Sequence, residues 1–417
     1  MVASPGCESA LQNANLEFFK QKVSQESGLM QMPSIRSLYA TAVVAVALLI
    51  VTPFTALHAE NVKVQRMSSQ HGPVTITDVV TGLDRPWAFA FLPANEGVLI
   101  TEKPGALRLW HPQRGLSQPV QGVPAVYNQG QGGLLDVALA PDFAQSRRVY
   151  LTYAEEGEGR GSTAAGYGVL SPDGTALNDF KVIFRQMPRL SSGVHFGSRL
   201  VFDPQGYLYI ALGDNNQRPT AQDLDKLQGK IVRLHPDGRI PGDNPFVNHA
   251  GARPEIWSYG HRNQQGAALN PWTGELWTHE HGPRGGDEIN IPQAGKNYGW
   301  PLATYGINYS GFAIPEAQGT HVQGTEQPIH YWKKSPAISG MAFYNADQFP
   351  AWKGSLFIGA LRDQALLRLT LDGQKVTAEE RLIEPLNERI RDVRVGPDGY
   401  VYVLTDGSNG RLLKLGL

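Results

Sequence analysis

Six segments of the sequence repeat one pattern, and this repetition restricts the fold more than any other feature. Each segment has an apolar strand, a turn rich in Pro, Gly, Asp or Asn, and a second strand with apolar residues at a period of two. The turns contain Pro93, Pro141, Pro204, Pro271, Pro350 and Pro397. The repeats, with 46 glycines and 29 prolines, favour an all-β fold, a six-bladed β-propeller of four-stranded antiparallel blades. A two-sheet sandwich is the alternative, but it would not explain the length of the repeat.

The N-terminal region is different from the repeats. It contains the apolar run LYATAVVAVALLIVTPFTALHA, which follows Arg36, closes on Ala59 and is typical of a secretory signal peptide. We therefore expect a leader over residues 1–59, with Met32 as an alternative start, and a single propeller domain over residues 60–417 in the periplasm. An uncleaved membrane anchor is the alternative; after cleavage no transmembrane span is expected. The only cysteine, Cys7, lies in the leader, so we expect no disulfide in the exported part.

Charge and missing motifs exclude several functions. The chain has 37 Lys and Arg against 38 Asp and Glu, and it contains no basic run, so nucleic acid is not an expected partner. It has no Walker loop, no GxGxxG, no GxSxG and no EF-hand loop. These absences disfavour nucleotide-dependent and serine-hydrolase chemistry.

The hairpin pattern brings polar residues to one face of the predicted disc. If the proline turns share one face, the starts of the first strands and the ends of the second strands share the other. His195 precedes the first strand of the third repeat, and Asp214 follows the second strand. A carboxylate there can orient the imidazole and support its protonated form, so the pair predicts a general base and its partner. A histidine with no catalytic role at a blade edge is the alternative.

Arginines from three repeats are predicted to meet on the same face. They are Arg262, Arg362, Arg389 and Arg391. Guanidinium groups bind carboxylates and phosphates through paired hydrogen bonds, so this convergence indicates an anionic ligand with more than one acidic group. Surface ion pairs with nearby Asp and Glu residues are the alternative.

The stretch from His279 to Pro301 is polar and rich in glycine, so we expect a loop rather than a strand. His279 and His281 lie two residues apart, but no HExxH spacing follows, which disfavours a transition metal. Asp287 and Glu288, with the carbonyls of the Gly/Pro turn, better suit a hard cation such as calcium. An ordered loop without an ion is the alternative.

From about Gly82 to Leu415 the sequence resembles the soluble PQQ-dependent aldose sugar dehydrogenases of the glucose/sorbosone dehydrogenase family. The segments that carry the resemblance are QGQGGLLDVALAPDF, HFGSRLVFDPQGYLYIALGD, LQGKIVRLHPDGRIPGDNPF, YGHRNQQG, EHGPRGGDEINIPQAGKNYGWP and RIRDVRVGPDGYVYVLTD. The resemblance implies a six-bladed propeller that carries PQQ over the centre of one face and oxidises aldoses to lactones. It also implies calcium as a second cofactor.

The resemblance assigns roles to individual residues. His195 would be the general base, and Asp214 would orient it. The positions that match PQQ contacts are Gln131, Arg262, Asn263, Tyr309, Arg362, Arg389 and Arg391. The positions that match calcium ligands are Gly282, Pro283, Glu288 and Tyr298. Which of these two pairs binds the ion that contacts PQQ is left open.

Three residues differ from the soluble glucose dehydrogenase branch of this family: Val194, Pro219 and Arg362. We therefore favour the broader aldose dehydrogenase branch, which would accept several mono- and disaccharides and pass electrons to an acceptor that the sequence does not identify. We expect a monomer or a homodimer. Two other functions stay open at this point: a calcium-dependent sugar lactonase and a non-enzymatic propeller that binds glycans.

Overall fold

The structure, a computed structural model, describes residues 64–417. The predicted leader and its signal peptide lie outside the described residues. Twenty-five strands, numbered in chain order, form six antiparallel sheets. The first two strands are β1 (Val64–Ser69) and β2 (Gly72–Leu83). The six-bladed propeller predicted from the repeats is confirmed.

Five blades each consist of four consecutive strands. Blade 1 contains β3 (Pro86–Leu92), β4 (Gly97–Glu102), β5 (Ala106–His111) and β6 (Gly115–Leu116). Blade 2 contains β7 (Leu134–Leu139), β8 (Arg148–Gly157), β9 (Arg160–Leu170) and β10 (Leu177–Arg185). Blade 3 contains β11 (Gly197–Phe202), β12 (Leu208–Leu212), β13 (Lys230–Leu234) and β14 (Ile256–Tyr259). Blade 4 contains β15 (Gln264–Leu269), β16 (Leu276–Glu280), β17 (Asp287–Asn290) and β18 (His330–Trp332). Blade 5 contains β19 (Ile338–Phe343), β20 (Ser355–Ala360), β21 (Ala365–Asp372) and β22 (Lys375–Leu382).

Blade 6 joins strands from both ends of the described chain. It contains β23 (Ile390–Val395), β24 (Val401–Thr405) and β25 (Gly410–Gly416), followed by β2 and β1. Strand β2 pairs antiparallel with β25, from Thr75 opposite Gly416 to Leu83 opposite Gly410. This pairing closes the ring. Strand β1 makes this sheet five-stranded, a detail that the hairpin repeat did not predict.

The six predicted hairpins are the two inner strands of the six blades. The first strand of each hairpin lies at the centre of the ring, where β3, β7, β11, β15, β19 and β23 contact one another in turn. Strands β4 and β12 are buried along their whole length, because neighbouring blades pack against both faces of each sheet. The described helices are short: α1 (Phe143–Ser146) and four 3₁₀ turns, Pro93–Asn95, Arg218–Ala221, Pro350–Trp352 and Glu384–Leu386. Within residues 64–417, no helix is long and apolar enough to cross a membrane.

The polar stretch from His279 to Pro301 is only partly a loop, so the prediction of a loop was wrong at two places. His279 lies within β16, and Asp287 is the first residue of β17. Strand β17 pairs with both β16 and β18. The strand tolerates Asp287 because its buried carboxylate accepts hydrogen bonds from the Gly282 amide at 3.0 Å and the Ser335 hydroxyl at 2.7 Å. Residues 281–286 and 291–301 lie outside the strands, as expected.

Candidate active site

His195 and Asp214 meet at the centre of one face, at the open end of the hairpin formed by β11 and β12. The imidazole Nδ1 lies 2.7 Å from Asp214 Oδ1. The main-chain amide of His195 donates to Gln131 Oε1 at 2.8 Å, and its backbone is left-handed, with φ at 55°. A Cβ at Gly213 would overlap the His195 carbonyl oxygen, so the close approach of the two strand ends requires glycine there.

Asp214 is fully buried and has three hydrogen-bond donors. Besides the imidazole, Oδ1 accepts from the Asn216 amide at 2.7 Å, and Oδ2 accepts from Trp300 Nε1 at 2.8 Å. Because the carboxylate accepts at Nδ1, that nitrogen carries the proton of the neutral imidazole and Nε2 keeps a free lone pair. The sequence predicted the pair of His195 and Asp214, but not the contribution of Trp300.

The environment of His195 favours the neutral imidazole. Burial lowers the pKa of His195 below its ordinary value, and the nearby Arg262 guanidinium lowers it further, whereas the bond to Asp214 acts in the opposite direction. The side chain is only 10 % exposed. A neutral imidazole with a free Nε2 is suited to accept a proton near neutral pH.

A cavity of about 520 Å³ opens at the centre of the ring and is lined by Phe196 and Gly197, the two residues that follow His195. Four of the predicted cofactor residues line it: Gln131, Asn263, Arg389 and Arg391. Arg85 and Lys103 line it as well, and the only Asp or Glu among the lining residues is Asp406. Burial lowers the pKa of Lys103, as do Arg85 and Arg391. The cavity therefore has an excess of positive charge.

Two arginines of the cavity share one carboxylate. Arg389 Nε lies 2.9 Å and Arg391 Nη2 lies 3.2 Å from Asp406 Oδ2. Arg391 is nevertheless left with a buried Nε that has no hydrogen-bond partner among the described residues. Ion pairs with Asp406, the alternative explanation for these arginines, therefore use only part of their hydrogen-bond donors.

Arg262 lies next to the cavity and forms no ion pair with a carboxylate among residues 64–417. Its Nη1 donates to the carbonyl oxygens of His281 at 3.0 Å and Gly282 at 2.9 Å, and its buried Nε has no partner within the described part of the chain. The guanidinium carbon lies 5.3 Å from the centre of the Trp300 ring. Unpaired buried donors of this kind are typical of a site that binds an anion.

Three of the predicted cofactor residues do not line the cavity: Arg262, which lies next to it, Arg362 and Tyr309. Arg362 is exposed and donates to the Ser335 carbonyl at 2.8 Å, while its neighbour Leu361 lines the cavity. Tyr309 is 75 % exposed. Conversely, Lys103 lines the cavity but was not predicted as a site residue. It directly follows β4 on this face, and this place in the hairpin pattern is the one signal that could have identified it.

The predicted calcium residues lie in two different surroundings. Gly282 and Pro283 are buried in the turn after β16, and the Gly282 carbonyl already accepts a bond from Arg262. Glu288 lies near Glu280, and Asn290 Nδ2 donates to both carboxylates, at 3.0 Å and 3.3 Å. Burial, reinforced by Glu280, raises the pKa of Glu288 to about 8.

The ring of Tyr298 stacks on His261, with 4.9 Å between ring centres. Its hydroxyl donates to the Ile291 carbonyl at 2.6 Å and accepts from the Gln293 amide at 3.0 Å. The side chain is therefore already engaged as donor and acceptor. Within residues 64–417 there is no group of three or more His, Cys, Asp and Glu side chains arranged around one metal position.

His279 and His281 form hydrogen bonds with backbone carbonyls. His279 Nε2 lies 3.1 Å from the Gly340 oxygen, and His281 Nε2 lies 2.6 Å from the Ile338 oxygen. Burial lowers the pKa of His279 to about 3 and that of His281 to about 4. The Nε2 atoms of both histidines are therefore already engaged with the main chain.

Known proteins share this fold and much of this sequence. Aldose sugar dehydrogenase YliI of Escherichia coli is 66 % identical over 334 residues, which are 80 % of this chain and 90 % of that protein. The apo crystal structure of the soluble aldose sugar dehydrogenase from Escherichia coli has a TM-score of 0.81 at 64 % identity and covers 82 % of this chain and 99 % of that one. The PQQ-bound aldose sugar dehydrogenase of Streptomyces coelicolor has a TM-score of 0.68 at 28 % identity, covering 82 % of this chain and 98 % of that one.

The family model for glucose / sorbosone dehydrogenase matches residues 83–414, which include all six inner hairpins and every residue of the His195 site. The resemblance that the sequence segments suggested is thus confirmed. The chain belongs to the glucose/sorbosone dehydrogenase family.

Proposed function

We propose that the protein is a PQQ-dependent dehydrogenase that oxidises the anomeric hydroxyl of aldoses to lactones. The observation that carries the proposal is the buried His195–Asp214 pair, with its 2.7 Å contact, beside a cavity with excess positive charge. The names of the relatives agree: aldose sugar dehydrogenase for the one from Escherichia coli, and a PQQ-bound form for the one from Streptomyces coelicolor.

The donor set of the cavity fits PQQ, which carries three carboxylates. Arg262 and Arg391 each have a buried Nε without a partner among residues 64–417, and Gln131 and Asn263 add amide groups. When bound, PQQ supplies the two-electron acceptor of the reaction. We propose that these four residues and Arg389 hold it. Tyr309 and Arg362, which lie outside the cavity, would contact it from the rim.

His195 acts as the general base in this proposal. Its free Nε2 accepts the proton of the anomeric hydroxyl, and Asp214 holds the Nδ1 proton and stabilises the imidazolium that forms. Because burial lowers the pKa of His195, the imidazole is neutral and ready to accept a proton at pH 7. We propose that mono- and disaccharides both reach His195 from this face.

We propose calcium as the second cofactor. The region of Glu288 offers two carboxylates and the buried Oδ1 of Asn290, which has no partner within the described residues. Oxygen donors of this kind suit a hard cation. Tyr298 would contribute its carbonyl, because its hydroxyl is already engaged. The carbonyls of Gly282 and Pro283 are a second set of oxygen ligands, next to Arg262.

We also propose that the leader over residues 1–59 directs the chain to the periplasm and is removed, so that residues 60–417 form the mature propeller. Mass spectrometry of the N-terminus of protein isolated from the periplasmic fraction tests this. Protein that keeps its leader in the cytoplasm would contradict it.

The decisive experiment titrates the purified protein with PQQ, with and without calcium, and follows the absorbance spectrum and dye-linked glucose oxidation. We expect activity only with both cofactors. His195→Ala should still bind PQQ but lose about 10²- to 10⁴-fold in kcat. His249→Ala is the control: this histidine lies in a loop and does not line the cavity, so kcat should be unchanged. Activity without PQQ, or hydrolysis of a sugar lactone by PQQ-free protein, would overturn the proposal.

A further inference from the structure

We propose that Trp300 is a positioning residue that sets the proton affinity of His195 through Asp214. The inference rests on the proposed function only in taking His195 as the base. Trp300 Nε1 donates to Asp214 Oδ2 at 2.8 Å, and the opposite oxygen of the same carboxylate contacts His195 Nδ1 at 2.7 Å. Both Trp300 and Asp214 are buried. The two hydrogen bonds therefore fix the orientation of the carboxylate, with Oδ1 towards the imidazole and Oδ2 towards the indole.

The position of the indole is fixed from its main chain. The Trp300 amide donates to the Gly260 carbonyl at 2.9 Å, and its carbonyl accepts from Gln222 Nε2 at 2.7 Å. Asn297 exchanges two hydrogen bonds with the Gln222 amide, at 2.8 Å and 3.0 Å. These hydrogen bonds fix the position of the indole, so it can orient the Asp214 carboxylate.

A buried lysine supports this frame from below. Lys230 Nζ donates to the carbonyls of Thr220, Ala221 and Gln228, at distances between 2.7 and 3.0 Å. The Ala221 carbonyl also accepts the Gly260 amide at 3.0 Å, and Gly260 in turn binds Trp300. The ammonium group is therefore linked to Trp300 through two intermediate residues.

The bond from Trp300 also changes the charge that His195 experiences. A neutral N–H donor withdraws negative charge from the Asp214 carboxylate, which weakens its stabilisation of the imidazolium. The two charged groups that act on the imidazole are Asp214, which favours the protonated form, and Arg262, which opposes it. Trp300 contacts Asp214 and packs against the Arg262 guanidinium, so it acts on both.

The substitution Trp300→Phe tests the inference, because it keeps a ring and removes the donor. In the PQQ-free protein, we expect the pKa of His195, measured by NMR of the imidazole protons, to rise, since Asp214 then holds the imidazolium more strongly. The His195→Gln spectrum identifies the signal. In the PQQ-loaded enzyme we expect the acid limb of kcat/KM to move to higher pH and kcat to fall about 10-fold, with an unchanged Kd for PQQ.

Trp332→Phe is the matched control. Trp332 Nε1 donates to Glu379 at 2.7 Å, so this change also removes an indole–carboxylate bond, but at a site away from His195. It should leave the His195 pKa unchanged. An unchanged His195 pKa in Trp300→Phe would overturn the inference without touching the proposed function, because the NMR titration uses no cofactor.

A measurement on the unaltered protein covers the case in which Trp300→Phe does not fold. The ¹H–¹⁵N signal of the Trp300 indole should titrate together with His195 and exchange slowly with solvent, because its donor is bonded to the buried Asp214. An indole signal that exchanges rapidly or does not respond to His195 would overturn the inference.

Discussion

The two ends of the propeller hub use the same kinds of side chains in opposite ways. At the cofactor end, Arg389 and Arg391 share Asp406, and a buried nitrogen of Arg391 is left without a partner in the described structure. At the other end, Arg199 and Arg394 meet two carboxylates, Asp136 and Asp392.

The four residues at that other end form a closed ring, which we call the hub quartet. Arg199 lies 3.3 Å from Asp136 and 3.1 Å from Asp392. Arg394 lies 2.9 Å from Asp136 and 3.1 Å from Asp392. Each carboxylate therefore contacts both guanidinium groups, and the ring has no net charge. It lines a separate cavity of about 440 Å³.

The difference teaches how to read buried charge in this protein. Charges that neighbours neutralise completely, as in the hub quartet, serve the fold. Donors that are left over after all internal contacts, as in Arg391, are available for a ligand. Strand β23 shows both cases, because it carries Arg391 towards one end of the hub and Asp392 and Arg394 towards the other.

Breaking the hub quartet should have the largest effect. Asp136→Ala leaves the buried guanidinium of Arg199 and the partly exposed one of Arg394 short of a carboxylate, so we expect the free energy of unfolding to fall by about 3 kcal/mol. Urea denaturation followed by tryptophan fluorescence measures it. Asp347→Ala, which removes an exposed ion pair with Lys353, is the control and should have no measurable effect. A loss no greater than in the control would contradict the structural role of the quartet.

A crossed pair of substitutions on β23 sharpens the comparison. Arg391→Gln should weaken PQQ binding about 10- to 100-fold, because it removes charge-assisted hydrogen bonds to the ligand, with little change in stability. Arg394→Gln should lower stability and leave the Kd for PQQ unchanged. Absorbance titration and thermal unfolding of both variants measure the two quantities. Equal effects of the two variants on binding would remove the distinction between the two ends.

A smaller effect is expected from Arg389→Gln. The side chain is 46 % exposed, and its charge is therefore screened by salt. We expect PQQ to bind about 2- to 5-fold more weakly at low ionic strength, and the difference to disappear near 1 M salt. Titrations at two salt concentrations test this. A difference that persists at high salt would show that Arg389 contributes more than screened charge.

The smallest expected effect is on the pH dependence of kcat/KM. Only the neutral imidazole accepts a proton, and the pKa of His195 is lowered, so the rate should be maintained as the pH falls below the ordinary histidine value of about 6.5. The acid limb of kcat/KM, measured on the PQQ-loaded enzyme, should therefore lie below pH 6.5. A limb above that value would mean that Asp214 outweighs burial and Arg262.

The sequence predicted what depends on local pattern. All six inner hairpins and their proline turns are where the repeat placed them, because apolar residues at a period of two and turn residues act over short distances. The contact between His195 and Asp214 was predictable for the same reason. The two residues flank one hairpin, so pairing of its strands brings them together.

The sequence predicted that residues of distant repeats share one face, but not which individual side chains contact each other. The Trp300 indole meets Asp214 across 86 positions of the chain, and Arg394 meets Asp136 from another blade. No local periodicity encodes such pairs. The strand that contains Asp287 was missed because its polar side chain is satisfied by backbone amides that only the folded turn supplies. Strand β2 was missed because its partner, β25, lies at the far end of the sequence, and β1 joins the sheet only through β2.

The pairing of β2 with β25 has a consequence for recognition. A closed circle cannot widen at one blade without compressing the others, so the six central strands keep their angular spacing. The guanidinium and amide groups contributed by different blades are therefore held apart at set intervals before any ligand arrives. Because these groups need little rearrangement when the ligand binds, the pairing of β2 with β25 contributes to the affinity of the central site.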